Sequence, residues 1–90
     1  MKIVICGAGQ VGFSIAGHLS EENNDVTIID ESDELIQRVT DHHNVRGVIG
    51  VPSHPDILAQ ADVGNADMLI AVTTTDEINM VACQVAHSIF

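Results

Sequence analysis

The sequence predicts an α/β fold, a doubly wound parallel sheet that is covered by helices on both faces. Short, nearly continuous apolar runs alternate along the chain with stretches whose apolar residues recur at helical spacing. This alternation is typical of a parallel sheet, because the helices that connect parallel strands bury both faces of each strand. Right-handed crossovers would arrange the four predicted strands in the order 3-2-1-4, a sheet truncated relative to a full doubly wound domain.

The first half of the chain predicts two strands that are each followed by a helix. The first strand covers about residues 2–6, the first helix about residues 10–21 and the second strand about residues 26–30. Ser32 is a residue type that caps helices, and it precedes a segment with helical periodicity. The apolar residues of this second helix are Leu35, Ile36 and Val39.

The second half repeats the alternation with shorter elements. The third strand covers residues 45–49, Pro55 suits the first position of a third helix, and the fourth strand covers residues 68–72. Asp76 is predicted to cap a last helix that continues to the end of the sequence. The apolar stripe of that helix comprises Ile78, Val81, Ala82, Val85, Ala86 and Ile89.

Part of the last helix and the edge of the sheet are predicted to lack cover. Met80, Cys83 and Phe90 fall outside the apolar stripe, and the fourth strand would be an apolar edge of the sheet. Such an edge is a template for association. We therefore expect that residues 1–90 are the amino-terminal part of a longer domain, and that copies associate through the last helix and the fourth strand.

The composition argues against several classes of function. The chain has 90 residues, enough for one small domain, and its formal net charge of −10 disfavours binding to nucleic acid or anionic lipid. No apolar run approaches the ~20 residues of a membrane span. Because a glycine motif already begins at Gly7, we expect no signal peptide. Cys6 and Cys83 show no disulfide pattern, which is consistent with the cytosol.

The glycine motif follows the first strand and opens the first helix. It fits the pattern Gly-x-Gly-x-x-Gly, with the residues Gly7, Ala8, Gly9, Gln10, Val11 and Gly12. Gly7 permits the tight turn out of the strand, Gly9 allows a pyrophosphate to approach the backbone, and Gly12 allows the helix to pack closely on the sheet. The pyrophosphate would meet free N–H groups at the helix N-terminus. Between a strand and a helix, the motif predicts a Rossmann-like dinucleotide-binding site.

Two further sets of residues are predicted to reach the same ligand. Asp30 ends the second strand and would accept hydrogen bonds from the hydroxyl groups of the adenosine ribose. Thr73, Thr74 and Asn79 follow the fourth strand, which ends beside the first strand at the switch point of the sheet. Their short polar side chains either reach phosphate or ribose oxygens or serve as ordinary turn and capping residues.

No pattern in the sequence indicates catalysis or a metal. The five histidines show no ligand spacing with one another or with the cysteines. Neither a Ser–His–Asp arrangement nor a pair of acids suited to acid–base chemistry is evident. We therefore expect a protein that is not an enzyme and that has no metal site.

Three segments of the sequence resemble the regulators of potassium conductance, a family of cytosolic domains that includes the regulatory subunits of bacterial Trk potassium uptake. They are residues 1–12, 53–58 and 66–86, and the similarity covers nearly the whole chain. Many dinucleotide-binding folds share the first segment, whereas the last is specific to this family. The resemblance implies NAD(H) as the ligand, or ADP or ATP as in some relatives. It also implies a homo-oligomer beneath a membrane pore subunit for potassium, on the cytosolic face of the inner membrane.

The resemblance also implies roles for individual residues. The backbone from Gly7 to Val11 would hold the pyrophosphate, and Asp30 would hold the adenosine ribose. Thr73 and Thr74 would line the far half of the site, and Val51 would lie against the adenine side. Relatives have a polar residue and a small residue where this chain has Val-Pro, so any contact there would be apolar or would use the backbone.

The main alternative is the amino-terminal, cofactor-binding half of an NAD-dependent dehydrogenase. That function needs a general acid or base beside the nicotinamide, and none is apparent in these 90 residues. A methyltransferase would have an acidic residue just before the glycines, where Ile5 and Cys6 stand. The fold does not separate these functions, but the segment 66–86 favours the regulator.

Overall fold

A computed structural model describes residues 1–89, in which four strands alternate with four α-helices. The first half contains β1 (Lys2–Cys6), α1 (Gln10–Glu21), β2 (Asp25–Asp30) and α2 (Asp33–His42). The second half contains β3 (Arg46–Ile49), α3 (Pro55–Gln60), a 3-10 turn (Val63–Asn65), β4 (Met68–Ala71) and α4 (Asp76–Ile89). Phe90, which the sequence analysis assigns to the flank of the last helix, lies outside the described residues.

The strands form one parallel sheet in the order β3-β2-β1-β4, which confirms the predicted class and strand order. Ile5 in the central strand β1 pairs with Ile28 in β2 and with Ile70 in β4. Because the strands are parallel, their carboxyl ends share one edge of the sheet. That edge brings together the loops after β1, β2 and β4, which carry the predicted site residues.

The core consists of two aliphatic layers, one on each face of the sheet. Successive strand residues face opposite sides, so Ile5 and Ile28 belong to the layer beneath α1 and α2, whereas Val4 and Ile29 belong to the layer beneath α3 and α4. The helices complete these layers with Ala16, Ile36 and Val39 on the first face and with Leu58 and Ala82 on the second. Since helices cover both faces, we expect a ligand cleft at the strand ends and not on a face of the sheet.

Several local features differ from the prediction. β2 begins at Asp25 and β3 at Arg46, each one residue from the expected start, and Asp76 is the first residue of α4 instead of its cap. The sequence does not predict the 3-10 turn. Asp62 precedes that turn in the left-handed region with a φ of 63°, and its carboxylate accepts a hydrogen bond from the Asn65 side chain at 2.8 Å. This local bond is one reason why Asp tolerates that backbone conformation.

The predicted apolar stripe of α4 is wrong at two positions. Ala82 is fully buried, and Val85 and Ala86 pack on the same core layer. Val81 and Ile89, however, are 46% and 60% exposed. α4 packs against β4 and α3, and β4 is the last strand of the sheet. The described residues therefore supply no further element to cover the full width of the helix.

Thr27 is a buried polar residue in β2. Its side chain is inaccessible to solvent, and its hydroxyl has no hydrogen-bond partner within residues 1–89. Burying a hydroxyl without a partner costs about 1–3 kcal/mol by mutational data. The β-branched shape of threonine suits a strand, so the core uses its shape and not its hydroxyl.

We expect the substitution Thr27→Val to raise the free energy of unfolding by about 1 kcal/mol, because a methyl group replaces an unpaired hydroxyl of similar size. Urea denaturation followed by circular dichroism measures this change. Thr27→Ser is the matched control, since it keeps the hydroxyl and loses the methyl group, and it should lower the free energy of unfolding. A less stable Thr27→Val variant would contradict the view that the hydroxyl is unpaired.

Candidate functional site

A cleft of about 160 Å³ that opens to solvent lies at the carboxyl edge of the sheet. Five of the predicted site residues line it, namely Gly7, Gly9, Asp30, Thr73 and Thr74. Six residues that the sequence analysis did not assign to the site complete the lining, namely Glu31, Leu35, Pro52, Val72, Thr75 and Ile78. The structure therefore brings both predicted sides of the site into one cleft.

Gly7 and Gly12 are required by the packing of the backbone around the loop of residues 7–12, called here the glycine loop. Gly7 has a φ of 116°, a conformation that favours glycine. A Cβ atom at Gly7 would lie 2.9 Å from the backbone of Val72 and Thr73. A Cβ atom at Gly12 would collide with the carbonyl oxygen of Gly7. These two glycines are therefore needed by the fold, with or without a ligand.

Gly9 differs because nothing in residues 1–89 requires a glycine there. Its φ of −69° is open to any residue, and a Cβ atom added at Gly9 would meet no atom within 4 Å apart from those of its chain neighbours. Gly9 is also the N-cap of α1, and it offers no side chain to pair with the first N–H groups of the helix. Open space before unpaired N–H groups is what an anionic ligand requires.

The first turn of α1 supplies the groups that could hold a phosphate. The N–H groups of Gln10, Val11 and Gly12 lie in this turn and have no acceptor within the helix. The positive end of the helix dipole adds to their attraction for an anion. The side chains of Gln10 and Val11 are exposed and do not line the cleft. These residues can therefore contribute through their backbone.

Asp30 is tied to the glycine loop by its carboxylate. One oxygen, Oδ2, accepts a hydrogen bond from the N–H of Ala8 at 2.8 Å, and Oδ1 accepts one from the N–H of Ser32 at 2.8 Å. The Gly7 N–H donates to the carbonyl oxygen of Ile29 at 2.7 Å. Within the backbone stretch predicted to hold the pyrophosphate, the N–H groups of Gly7 and Ala8 are thus already used. The Asp30 carboxylate retains further lone pairs that can accept hydroxyl groups.

Thr73 and Asn79 bind each other across the loop between β4 and α4. Oδ1 of Asn79 accepts a hydrogen bond from the Thr73 N–H at 2.9 Å, and Nδ2 of Asn79 donates to the Thr73 carbonyl oxygen at 3.1 Å. The Thr73 hydroxyl also accepts a hydrogen bond from the Thr75 N–H at 3.2 Å. Thr74 is exposed, and its hydroxyl has no partner in the part of the chain that the structure describes. Of the three predicted polar residues, Thr74 is the one that is free to meet a ligand.

The apolar part of the lining comes from residues that the sequence analysis assigned elsewhere. Val51 does not line the cleft, whereas the neighbouring Pro52 does. Leu35 and Ile78 lie at the helical spacing that predicts core. Leu35 is the third residue of α2, and Ile78 is the third residue of α4. Both helices begin at the carboxyl edge of the sheet, so their first turns lie beside the cleft, and this position would have predicted the two residues at the site.

Few side chains near the cleft could take part in catalysis. Asp30 and Glu31 are the titratable residues that line it within residues 1–89. Burial, together with the nearby Cys83, raises the pKa of the Cys6 thiol to about 12, so this thiol stays protonated at neutral pH. No cluster of three potential metal ligands occurs in residues 1–89. Among the same residues, no helix combines the length and apolarity needed to cross a membrane.

The parallel sheet, the glycine loop and Asp30 together define a Rossmann-like domain of the nucleotide-binding type. The model of the TrkA-N domain family matches residues 3–90, and the chain belongs to this family. The resemblance inferred from the sequence is thereby confirmed.

Named relatives agree with this assignment. The Trk system potassium uptake protein TrkA of Azorhizobium caulinodans is 64% identical over 90 residues, which are 100% of this chain and 20% of that protein. The protein of the same name from Halomonas elongata is 51% identical, with the same shares covered. This chain therefore spans 20% of the length of these curated relatives.

A solved structure supports the fold. The Shewanella denitrificans Kef CTD in its AMP-bound form matches with a TM-score of 0.85 at 20% identity. The match covers 99% of this chain and 53% of that chain.

Proposed function

We propose that this domain binds NAD(H) in the cleft and regulates potassium transport through a membrane pore subunit. The proposal depends chiefly on one observation, that Asp30 and the open side of Gly9 lie in the same cleft at the amino end of α1. A carboxylate for ribose hydroxyls and an unobstructed helix N-terminus for phosphate are what an adenine dinucleotide needs. The link to potassium comes from the names of the curated relatives.

The order of the strands gives the ligand a direction across the cleft. Asp30 ends β2 and would accept the hydroxyl groups of the adenosine ribose. The glycine loop follows β1, the neighbouring strand, and would hold the pyrophosphate above Gly9. Thr74 follows β4 on the other side of β1, where the second nucleoside would lie. The adenine would rest against Leu35 and Pro52, which supply the apolar lining from α2 and the loop after β3.

ADP or ATP is the alternative ligand. A mononucleotide would use Asp30 and the amino end of α1, and it would leave the side of the cleft near Thr74 unfilled. The Kef CTD, whose fold this chain shares, was solved in an AMP-bound form. We favour NAD(H) because the cleft continues past the glycine loop to Thr74 and Ile78.

The proposed role is regulatory and not catalytic. A dehydrogenase needs a general acid or base beside the nicotinamide. Around the second nucleoside, the lining consists of Val72, Thr74, Thr75 and Ile78, none of which titrates near neutral pH. Hydride transfer between bound NAD and a simple hydroxyacid would overturn this part of the proposal and favour the dehydrogenase.

We further propose that copies of the domain associate through α4 and the edge strand β4, at the cytosolic face of the inner membrane. Met80 is 72% exposed, Ile89 60%, Val81 46% and Met68 44%. Soluble domains rarely expose much large apolar surface, and a subunit contact would cover part of these side chains. Binding of nucleotide would act on the pore by changing how the copies are arranged.

We expect NADH to bind at least about tenfold more tightly than NADPH, a difference of about 1.4 kcal/mol. A 2′-phosphate would meet the carboxylates of Asp30 and Glu31, and no Lys or Arg within residues 1–89 lines the cleft to offset the repulsion. Isothermal titration calorimetry with both cofactors measures the difference. Glu31→Gln should reduce the discrimination, because it removes one of the two negative charges. Equal or tighter binding of NADPH would exclude Asp30 as the ribose ligand.

The substitution Gly9→Ala should weaken NADH binding about tenfold or more and leave the fold intact. The added Cβ atom meets only open space in the protein, but it would stand where the pyrophosphate must approach. Calorimetry gives the affinity, and thermal unfolding without ligand serves as the control for the fold. If the variant is fully folded and binds NADH normally, the glycine loop is not the phosphate site.

The domain should form dimers or larger species, and Met80→Glu should weaken them while nucleotide binding is kept. A carboxylate at this exposed position on α4 would be buried in the contact without a partner. Light scattering across a concentration series measures the association. Gln37→Glu adds the same charge at an exposed position of α2, on the opposite face of the sheet from α4, and it controls for charge alone. A monomer at high micromolar concentration would contradict the proposed contact.

A further inference from the structure

The Asn79 side chain holds Thr73 by both of its backbone hydrogen-bonding groups. The Asn79 amide accepts from the Thr73 N–H at 2.9 Å and donates to the Thr73 carbonyl at 3.1 Å. β4 ends at Ala71, and the Val72 N–H still donates to the Cys6 carbonyl oxygen at 2.8 Å. At Thr73, the side chain of Asn79 therefore makes the backbone hydrogen bonds that a neighbouring strand would otherwise make.

This contact also determines where Thr73 lies relative to the glycine loop. The space beside Gly7 is so small that a Cβ atom there would come within 2.9 Å of the Thr73 nitrogen. The backbone of Thr73 thus forms one wall of the cleft, and Thr74 and Ile78 follow it along the lining. Asn79 is partly buried in the first half of α4 and does not itself line the cleft. It can act on a ligand only through Thr73 and its neighbours.

The opposite side of the cleft is held independently of Asn79. The Asp30 carboxylate is fixed by the N–H groups of Ala8 and Ser32, and the amino end of α1 is fixed by the packing of Gly12 against Gly7. None of these contacts involves α4. A ligand confined to this side should therefore depend less on the position of the loop between β4 and α4 than a ligand that also contacts Thr74.

We propose that Asn79 is a positioning residue that makes the site selective for a dinucleotide over a mononucleotide. The inference depends on the proposed function, since it concerns the same cleft. By keeping Thr73 against Gly7, Asn79 presents Thr74 and Ile78 to the second nucleoside of NADH. The ADP part of the same ligand contacts Asp30 and the amino end of α1, so the contact between Asn79 and Thr73 adds nothing to its affinity.

The test compares NADH with ADP, because ADP is the part of NADH that would occupy the Asp30 side. In Asn79→Ala, NADH should bind about tenfold more weakly, as expected for the loss of the three hydrogen bonds between Asn79 and Thr73 that orient the loop, whereas ADP affinity should change less than about twofold. Calorimetry gives both affinities for the purified protein. The chain has no Trp or Tyr, so NADH fluorescence provides a second measurement without protein emission in the background.

Gln84→Ala is the matched control for this experiment. It removes an amide of comparable chemistry from the same helix, and that amide is bonded only to the Ser88 hydroxyl at 3.2 Å within residues 1–89. Both nucleotides should bind it as they bind the wild type. Alanine favours the helix at either position, so both variants should fold, and thermal unfolding without ligand verifies this.

Each remaining outcome decides between the proposals. Equal loss of NADH and ADP binding in Asn79→Ala would show a general structural role and overturn selective positioning. Unchanged NADH affinity would overturn it as well, as would a wild type that binds ADP as tightly as NADH, since the site would then show no preference for a dinucleotide. A wild type that binds neither nucleotide would instead overturn the proposed function itself.

Discussion

The close approach of three backbone segments at Gly7 is the constraint on which the rest of the cleft depends. Gly7 follows β1 and has a φ of 116°. A Cβ atom at Gly7 would collide with the backbone of Thr73, and a Cβ atom at Gly12 would collide with the carbonyl oxygen of Gly7. The end of β1, the start of α1 and the loop after β4 are thereby brought within van der Waals contact. Larger residues would separate these segments and open the carboxyl edge of the sheet.

Within this frame, polar side chains fix the two sides of the cleft by different means. The Asp30 carboxylate accepts two backbone N–H groups, so its orientation is set before any ligand arrives. Such preorganisation lowers the conformational entropy that binding must overcome. On the other side, the loop is held by the amide of Asn79 from α4. One side is therefore part of the sheet and the glycine loop, whereas the other depends on the position of a helix.

Features that depend on a local sequence pattern could be predicted from the sequence. Contacts that depend on the course of a loop or on the packing of a helix could not. Strand order and the places of Gly7 and Gly12 follow from periodicity and from a motif whose spacing has a steric cause. The pairing of Thr73 with Asn79 was not predicted, because it arises from the course of the loop and not from any spacing rule. Val81 was assigned to the core by helical spacing, but α4 lies over the sheet edge and leaves it 46% exposed. Periodicity identifies an apolar face without showing how much of it finds a partner.

Only one side of the cleft depends on the position of α4. Under the proposed function, this difference decides which ligands could change the position of that helix. A ligand shifts the position of α4 only to the extent that it binds two arrangements of the protein with different affinity. The ADP part of NADH would contact the amino end of α1 and Asp30, and the hydrogen bonds that hold the Asp30 carboxylate do not involve α4. The second nucleoside would contact Thr74 beside the residue that Asn79 holds. A mononucleotide could thus fill the site without biasing α4, whereas a dinucleotide could transmit its occupancy to the exposed apolar surface of that helix.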